Sequence, residues 1–314
     1  MIKTLFHQIG AYKKDSILTP IYAAAEVIME ILIPFVTAAI IDEGIQAGNM
    51  QKVLQYGVIM IVLALLSLFF GIQAGRKAAS ASTGFACNLR ESMYRNIQTF
   101  SFSNIDKFST AGLVTRMTTD VTNMQNAYQM ILRIAVRAPM TLICSMVMCF
   151  IINVKLSLIF LVALCVLAAA LIYIMMHAMP VFQEVFSKYD DLNASVQENV
   201  TAIRVVKAFV REDFENQKFG KAAEVLCKLF VKAESIIVFN APIMMTVIFA
   251  SMLGLSWIGA QLIVAGDLTT GNLMSLFSYV LSIMMSLMML SMIFVMLTMS
   301  TATVSYTHLT LPTT

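Results

Sequence analysis

The chain has 314 residues, of which 59% are hydrophobic and 12% charged, and its mean hydropathy of +0.81 lies far above that of soluble domains. These values exclude a soluble globular enzyme and define a polytopic membrane protein, and a net charge of +3 gives no basis for a nucleic-acid partner. Five cysteines without paired spacing and three histidines offer neither a disulfide framework nor a metal-ligand set.

A helix crossing about 30 Å of hydrocarbon needs roughly 17 to 25 residues. Six apolar runs reach that length, at 17–41, 53–75, 138–154, 156–179, 235–266 and 272–304. The first follows Lys13, Lys14 and Asp15 and is too long for a signal peptide. It contains Glu26 and Glu30, which share one helix face. An acid in hydrocarbon costs several kcal/mol unless it is paired, protonated or wetted. Two roles are open to the pair: an acidic patch in a cavity that attracts cationic amphiphiles, or pairing with polar groups on neighbouring helices. The third run is the shortest, and Asn153 and Lys155 turn it directly into the fourth.

Between the second and third runs, and again between the fourth and fifth, lie inner segments at 76–137 and 180–234. Both lack the Gly/Pro/Ser clusters of loose loops. Phe85, Leu89, Met93, Ile97 and Phe100 repeat at helical spacing, as do Phe182, Phe186 and Tyr189, then Ala222, Leu226, Leu229, Ala233 and Ile236. The membrane helices are therefore expected to continue into the cytoplasm. A helix over 53–100 would be about 70 Å long and project roughly 40 Å beyond the bilayer core. With the N-terminus inside, 19 of the 21 lysines and arginines fall on the cytoplasmic side, leaving only Lys52 and Lys155 outside.

Near the middle of each inner segment is a short polar stretch, "STAGLVTRMTTDV" from Ser109 and "ENVTAIRVVKAFVRED" near residue 200. Each is expected at the tip of a helical hairpin. Ser109 or Thr110 can cap a short helix, Gly112 relaxes the turn, and Leu113, Arg116, Met117 and Asp120 form a mixed apolar and charged surface. In the second tip Ile203, Val206 and Phe209 alternate with Arg204, Lys207 and Arg211. Amphipathic helices of this kind dock into grooves on partner proteins. In the sixth run Met285, Met289, Met292, Met296 and Met299 repeat along one face. Methionine adapts its shape to varied partners, so this face is a candidate cavity lining, set against ordinary lipid-facing or helix-packing methionine.

"FSTAGLVTRMTTDV" resembles the first intracellular tip of the membrane domain of ATP-binding cassette exporters, and "ENVTAIRVVKAFVRE" is similar to the second. "PIYAAAEVIMEILIPFVTAAIIDEGI" resembles the first membrane helix of the bacterial members, and "GDLTTGNL" the outer turn before the sixth. The likeness runs from about residue 12 to residue 303 and implies an all-α membrane domain of six transmembrane helices with long cytoplasmic extensions, over residues 1–304. It implies a second transmembrane domain, identical or different, around a shared cavity that opens alternately inward and outward. It also implies nucleotide-binding domains, carrying ATP and Mg, that dock on two coupling helices: Gly112, Leu113, Arg116, Met117 and Asp120 in the first, Ile203, Arg204, Val206, Lys207 and Phe209 in the second. The substrate class would be hydrophobic or amphipathic, drug- or lipid-like, with Glu26, Glu30, Met285, Met289, Met292 and Met296 near its path. The location implied is a bacterial plasma membrane, with the N-terminus cytoplasmic.

The chain has no Gly-x-x-x-x-Gly-Lys-Ser/Thr loop; Gly220-Lys221 is followed by Ala222 and has Glu215 where the first glycine belongs. It is expected to hold no ATP and to have no catalytic, cofactor or metal site of its own. Residues 305–314, "SYTHLTLPTT", turn polar and threonine-rich without a charge and are expected to be foreign to the fold, which favours truncation before the ATP-binding part over an ATPase on a separate subunit. A proton-coupled secondary carrier built on Glu26 and Glu30 is the alternative. Carriers, however, show Gly/Pro-broken helices in matching halves and need no cytoplasmic levers.

Overall fold

The computed structural model of the chain describes residues 8–100 and 110–308. The protein is an all-α membrane protein, with six helices among the described residues long and apolar enough to cross a membrane. Helix α1 is Lys13–Ala39, entered through a 3₁₀ turn at Gly10–Tyr12 and followed by a π-helical stretch at Ile40–Gln46. Helix α2 is Met50–Gln98; α3, Thr110–Thr115, leads through a π-helical turn at Arg116–Asp120 into α4, Val121–Ile152. Then come α5 (Val154–Thr201), α6 (Ile203–Ala208), α7 (Glu212–Ile237), α8 (Asn240–Ala265) and α9 (Thr270–His308). The 49 residues of α2 make a rod about 74 Å long, the continuous helix expected over 53–100. Helix α9 reaches four residues past 304, so residues 305–308 continue it as helix.

The chain divides into two compact units, residues 1–160 with 252–314, and residues 161–251. In the first, α1 packs on α2, α4 and α9, while α4 also packs on α2 and α9. Close approach of α1 and α2 follows from small residues on α2: Ala74, Ala78, Ala81 and Ser82 are fully buried. At Gly71 a Cβ would stand 2.9 Å from Glu26 Oε1, and at Gly84 it would overlap the Tyr12 ring. Further in, Phe85, Leu89 and Met93 of α2 are buried with Ile9, Val121 and Met124. That cluster contains three of the periodic residues seen in the sequence, while Ile97 and Phe100 are half-buried. The N-terminal segment is fastened to the same stretch, since the Asn88 amide donates to the Gln8 carbonyl at 2.8 Å. Asp15 accepts from Lys77 Nζ at 2.9 Å and from the Ser80 hydroxyl at 2.7 Å.

Pro34 lies inside α1 and removes an amide from its ladder. Helix α9 bonds to the backbone of the same stretch, Tyr279 Oη donating to Ile31 O at 2.8 Å and Ser275 Oγ to Pro34 O at 2.5 Å. At the far end of α1, Asp42 accepts from the Gly271 amide at 2.8 Å, and Gln46 donates to Thr270 Oγ1 at 2.9 Å. Gly271 is required there, because a side chain would strike Ala38 O and the Asp42 carboxylate. These contacts tie the turn before α9 to the end of α1.

The second unit holds most of α5, all of α6 and α7, and the start of α8. Asn199 Nδ2 donates to Glu215 Oε2 at 3.0 Å across the α6 tip. Leu226 and Ala233 of α7 are buried, and Ala222, Leu229 and Ile236 half-buried, the face that the sequence periodicity marks.

One placement differs from the sequence analysis. Arg137 was assigned to the cytoplasmic segment 76–137, yet its guanidinium meets Glu26 and Glu30. Glu26 lies about 16 Å along α1 from Asp15 at 1.5 Å per residue. Arg137 therefore sits at the same depth as the intramembrane acids, and the apolar part of α4 begins before residue 138. Hydropathy excluded Arg137 because an arginine scores as solvent-seeking unless its partner is known.

Candidate functional site

Three sets of residues were marked by the sequence: the two tips, the acids of α1 and the methionine face of α9. In the first tip, Arg90 Nε donates to Met117 O at 3.2 Å, and Arg90 also donates to Thr122 Oγ1 at 3.1 Å, which holds the tip against α2. Met117 packs against the buried cluster. Gly112, Leu113, Arg116 and Asp120 are half-buried, and the outward apolar side chain is Val114, 56% exposed. Burial pushes the Asp120 carboxyl above its ordinary range, with Arg116 opposing the shift.

In the second tip Ile203, Val205, Phe209 and Val210 are exposed, Phe209 by 74% and Val210 by 80%; Arg204 and Lys207 are exposed beside them, and Val206 is half-buried. Lys207 Nζ lies 2.9 Å from Glu212 Oε1. The outward apolar set thus includes Val114, Val205 and Val210, which simple alternation passed over. Helix α6 is six residues long, so end geometry rather than periodicity decides which side chains point out. Val210 takes φ +54°, with Arg211 N bonded to Val206 O and Val210 N to Lys207 O. This is a Schellman C-cap with valine where glycine is usual.

The acids of α1 are paired. Arg137 Nη1 donates to Glu26 Oε1 at 2.5 Å, and Nη2 to both oxygens of Glu30 at 2.7 and 2.9 Å. The Glu26 side chain is 8% exposed, those of Glu30 and Arg137 37% and 26%. Glu26 Oε2 has no hydrogen-bond partner among the described residues. The cluster ties α1 to α4 and crosses the seam with α2 at Gly71. The signal for it was present in the sequence, a Glu/Glu and an Arg/Arg pair each spaced by one helical turn.

On α9, Met285, Met289 and Met292 are exposed by 61%, 42% and 62%, whereas Met284 is buried. The side chains of Met296 and Met299, like residues 101–109 with Ser109 and residues 309–314, lie outside the described residues. Among the described residues no cluster of His, Cys, Asp and Glu has the makings of a metal site.

Residues 17–288 match the model of the ABC transporter transmembrane region. The chain belongs to this family. The ABC membrane region so identified sets aside the secondary-carrier alternative. It is 32% identical over 254 residues to the ABC transporter ATP-binding protein YfiB of Bacillus subtilis, covering 81% of this chain and 44% of the relative. An ABC transporter ATP-binding protein of Mycobacterium bovis is 28% identical over 292 residues, covering 93% of this chain and 50% of the relative. A putative export ATP-binding/permease protein of Rickettsia typhi is 25% identical over 274 residues, covering 85% and 46%. The chain spans about half the length of the curated relatives it matches.

Proposed function

We propose that this ABC membrane region is the substrate-translocating part of an ATP-driven exporter. It moves a hydrophobic or amphipathic molecule by alternating access, paired with a second transmembrane domain and with ATP-binding domains that hold ATP and Mg. The N-terminus faces the cytoplasm of a bacterial plasma membrane; the distribution of lysine and arginine supports that orientation. The two tips are the coupling helices. The observation that carries this reading is the outward apolar set at the second tip, where Phe209 and Val210 stand almost fully free at the end of a polar helix hairpin. Side chains so exposed cost solvation until a partner covers them. The rod of α2 turns a small movement at the first tip into a displacement of the membrane helices. Met285, Met289 and Met292 supply an adaptable apolar face beside the substrate path. Glu26 and Glu30, neutralised in part by Arg137, belong to the helix packing rather than to a free acidic patch.

The test is a cysteine at Val205 or Phe209, labelled with a water-soluble maleimide. It should react readily in this chain alone and be shielded at least tenfold when the ATP-binding domains are joined. Truncating a buried aromatic anchor commonly costs about 2 kcal/mol or more. Phe209→Ala in the complete transporter should accordingly leave membrane insertion intact while substrate ceases to stimulate ATP hydrolysis. Labelling that is the same with and without the ATP-binding domains would refute the coupling role.

A further inference from the structure

Three pairs, each one helical turn apart, converge in the first unit: Glu26 and Glu30 on α1, Arg133 and Arg137 on α4, and Gly71 and Gly75 on α2. Only three of the four charges are matched. Arg137 serves both carboxylates, Glu26 Oε2 is buried without a partner, and no hydrogen bond or ion pair joins Arg133 to any described residue. The guanidinium of Arg133 lies beside Gly75, its Nη1 4.0 Å from where a Cβ would stand, one turn inward from the Gly71 that makes room for Glu26.

The register shows how the fourth charge is used. Helices α1 and α4 run parallel, with Ser16 facing Tyr128 and Glu26 facing Arg137 at sequence separations of 112 and 111. Arg137 meets Glu30 by reaching one turn outward, at a separation of 107. Arg133 and Glu26 are separated by the same amount, 133 − 26 = 107. The reach that Arg137 already makes to Glu30 would, made by Arg133, bring its guanidinium to Glu26. No slide of one helix along the other is needed.

We propose that Arg133 is the alternate partner of Glu26. The helix pair then has two arrangements: the shared one seen here, and one in which Arg133 holds Glu26 and Arg137 holds Glu30 alone, with all four charges paired. The shared state leaves a buried carboxylate oxygen unmatched, which in a low-dielectric interior is costly, and leaves the half-buried Arg133 without an acid. The alternate state removes that deficit but draws Arg133 from the inner end of the seam into the middle. The α1–α4 contact is thereby a packed element with two discrete states. Its part in transport rests on the alternating-access reading, whereas the exchange itself is a property of this chain alone.

The test is a set of double-mutant cycles on this chain in lipid nanodiscs, read as the midpoint of thermal unfolding. R137Q should be tolerated because Arg133 takes over Glu26. R133Q/R137Q should lose more than the sum of the single losses by on the order of 5 °C, since both carboxylates are then left without a cation. In the E26Q background, R133Q should have no further effect, and Arg133→Lys should restore most of what R133Q loses. Strict additivity, or an R133Q loss as large with E26Q as without it, would overturn the proposal. Should R133Q/R137Q yield no folded protein, the cycle between E26Q and R133Q decides by itself. If that coupling is found while R133Q leaves transport by the complete exporter unchanged, the exchange stands and its part in transport is what fails.

Discussion

Among the described residues three helix ends use the same paired backbone bonds, and they differ in one residue. Gly48 after the π-helical stretch and Gly266 after α8 take φ +65° and +84°, each followed by an amide that closes a Schellman motif. After α6 the equivalent residue is Val210, at φ +54°. A left-handed conformation costs an L-residue about 1–2 kcal/mol, and a β-branched side chain stands at the upper end. Glycine escapes that cost but loses about 0.5–1 kcal/mol of backbone freedom on folding. Because Val210 is 80% exposed, its removal forfeits little apolar burial. Val210→Gly should therefore stabilise the α6–α7 turn by about 0.5–1 kcal/mol, a net figure from the two opposing contributions. Native-state hydrogen exchange of amides 206–215 should slow by about two- to fivefold. The mirror substitution Gly266→Val should speed exchange at the end of α8 by a comparable factor or more, since open space around Gly266 leaves only the backbone to object. The reasoning is refuted if Val210→Gly leaves exchange unchanged or faster, or if Gly266→Val is neutral.

Gly71→Ala would place a methyl group 2.9 Å from Glu26 Oε1 and should cost about 1–3 kcal/mol in detergent unfolding, while Gly75→Ala, with its nearest atom at 4.0 Å, should be close to neutral. Hydrogen bonds from Lys77 and then Ser80 hold Asp15 below its ordinary range near 3.8. The stability it contributes is therefore present above that value and lost as pH falls through the lowered one. Asp15→Asn should remove about 1 kcal/mol at neutral pH, discounted for partial exposure, and flatten the acid limb of a pH–stability profile. Asp42→Ala leaves the Gly271 amide at the start of α9 without its acceptor, and should cost about 1–2 kcal/mol, visible as faster exchange of amides 270–274 with the α6 tip unaffected.

The sequence by itself determined the class of protein, the number of membrane helices, the long rod of α2 and the position of both tips. Each follows from hydropathy and periodicity, which are properties of neighbouring residues and survive without knowledge of the fold. The buried face of α2 through Phe85, Leu89 and Met93 was legible for the same reason. Tertiary structure alone decided which partner each polar group found. Glu26 and Glu30 had pairing or a free acidic patch open to them in sequence. The choice fell to Arg137, more than a hundred residues away, because Gly71 lets α1 and α2 close up and the parallel register of α4 brings the guanidinium level with them. The depth of Arg137, the capping of α9 by Asp42, the fastening of Gln8 by Asn88 and the left-handed Val210 have the same origin. Apolar burial is nearly non-directional and can be summed along a chain. Hydrogen bonds and ion pairs act over about 3 Å, so their partners exist only once the helices have taken their register.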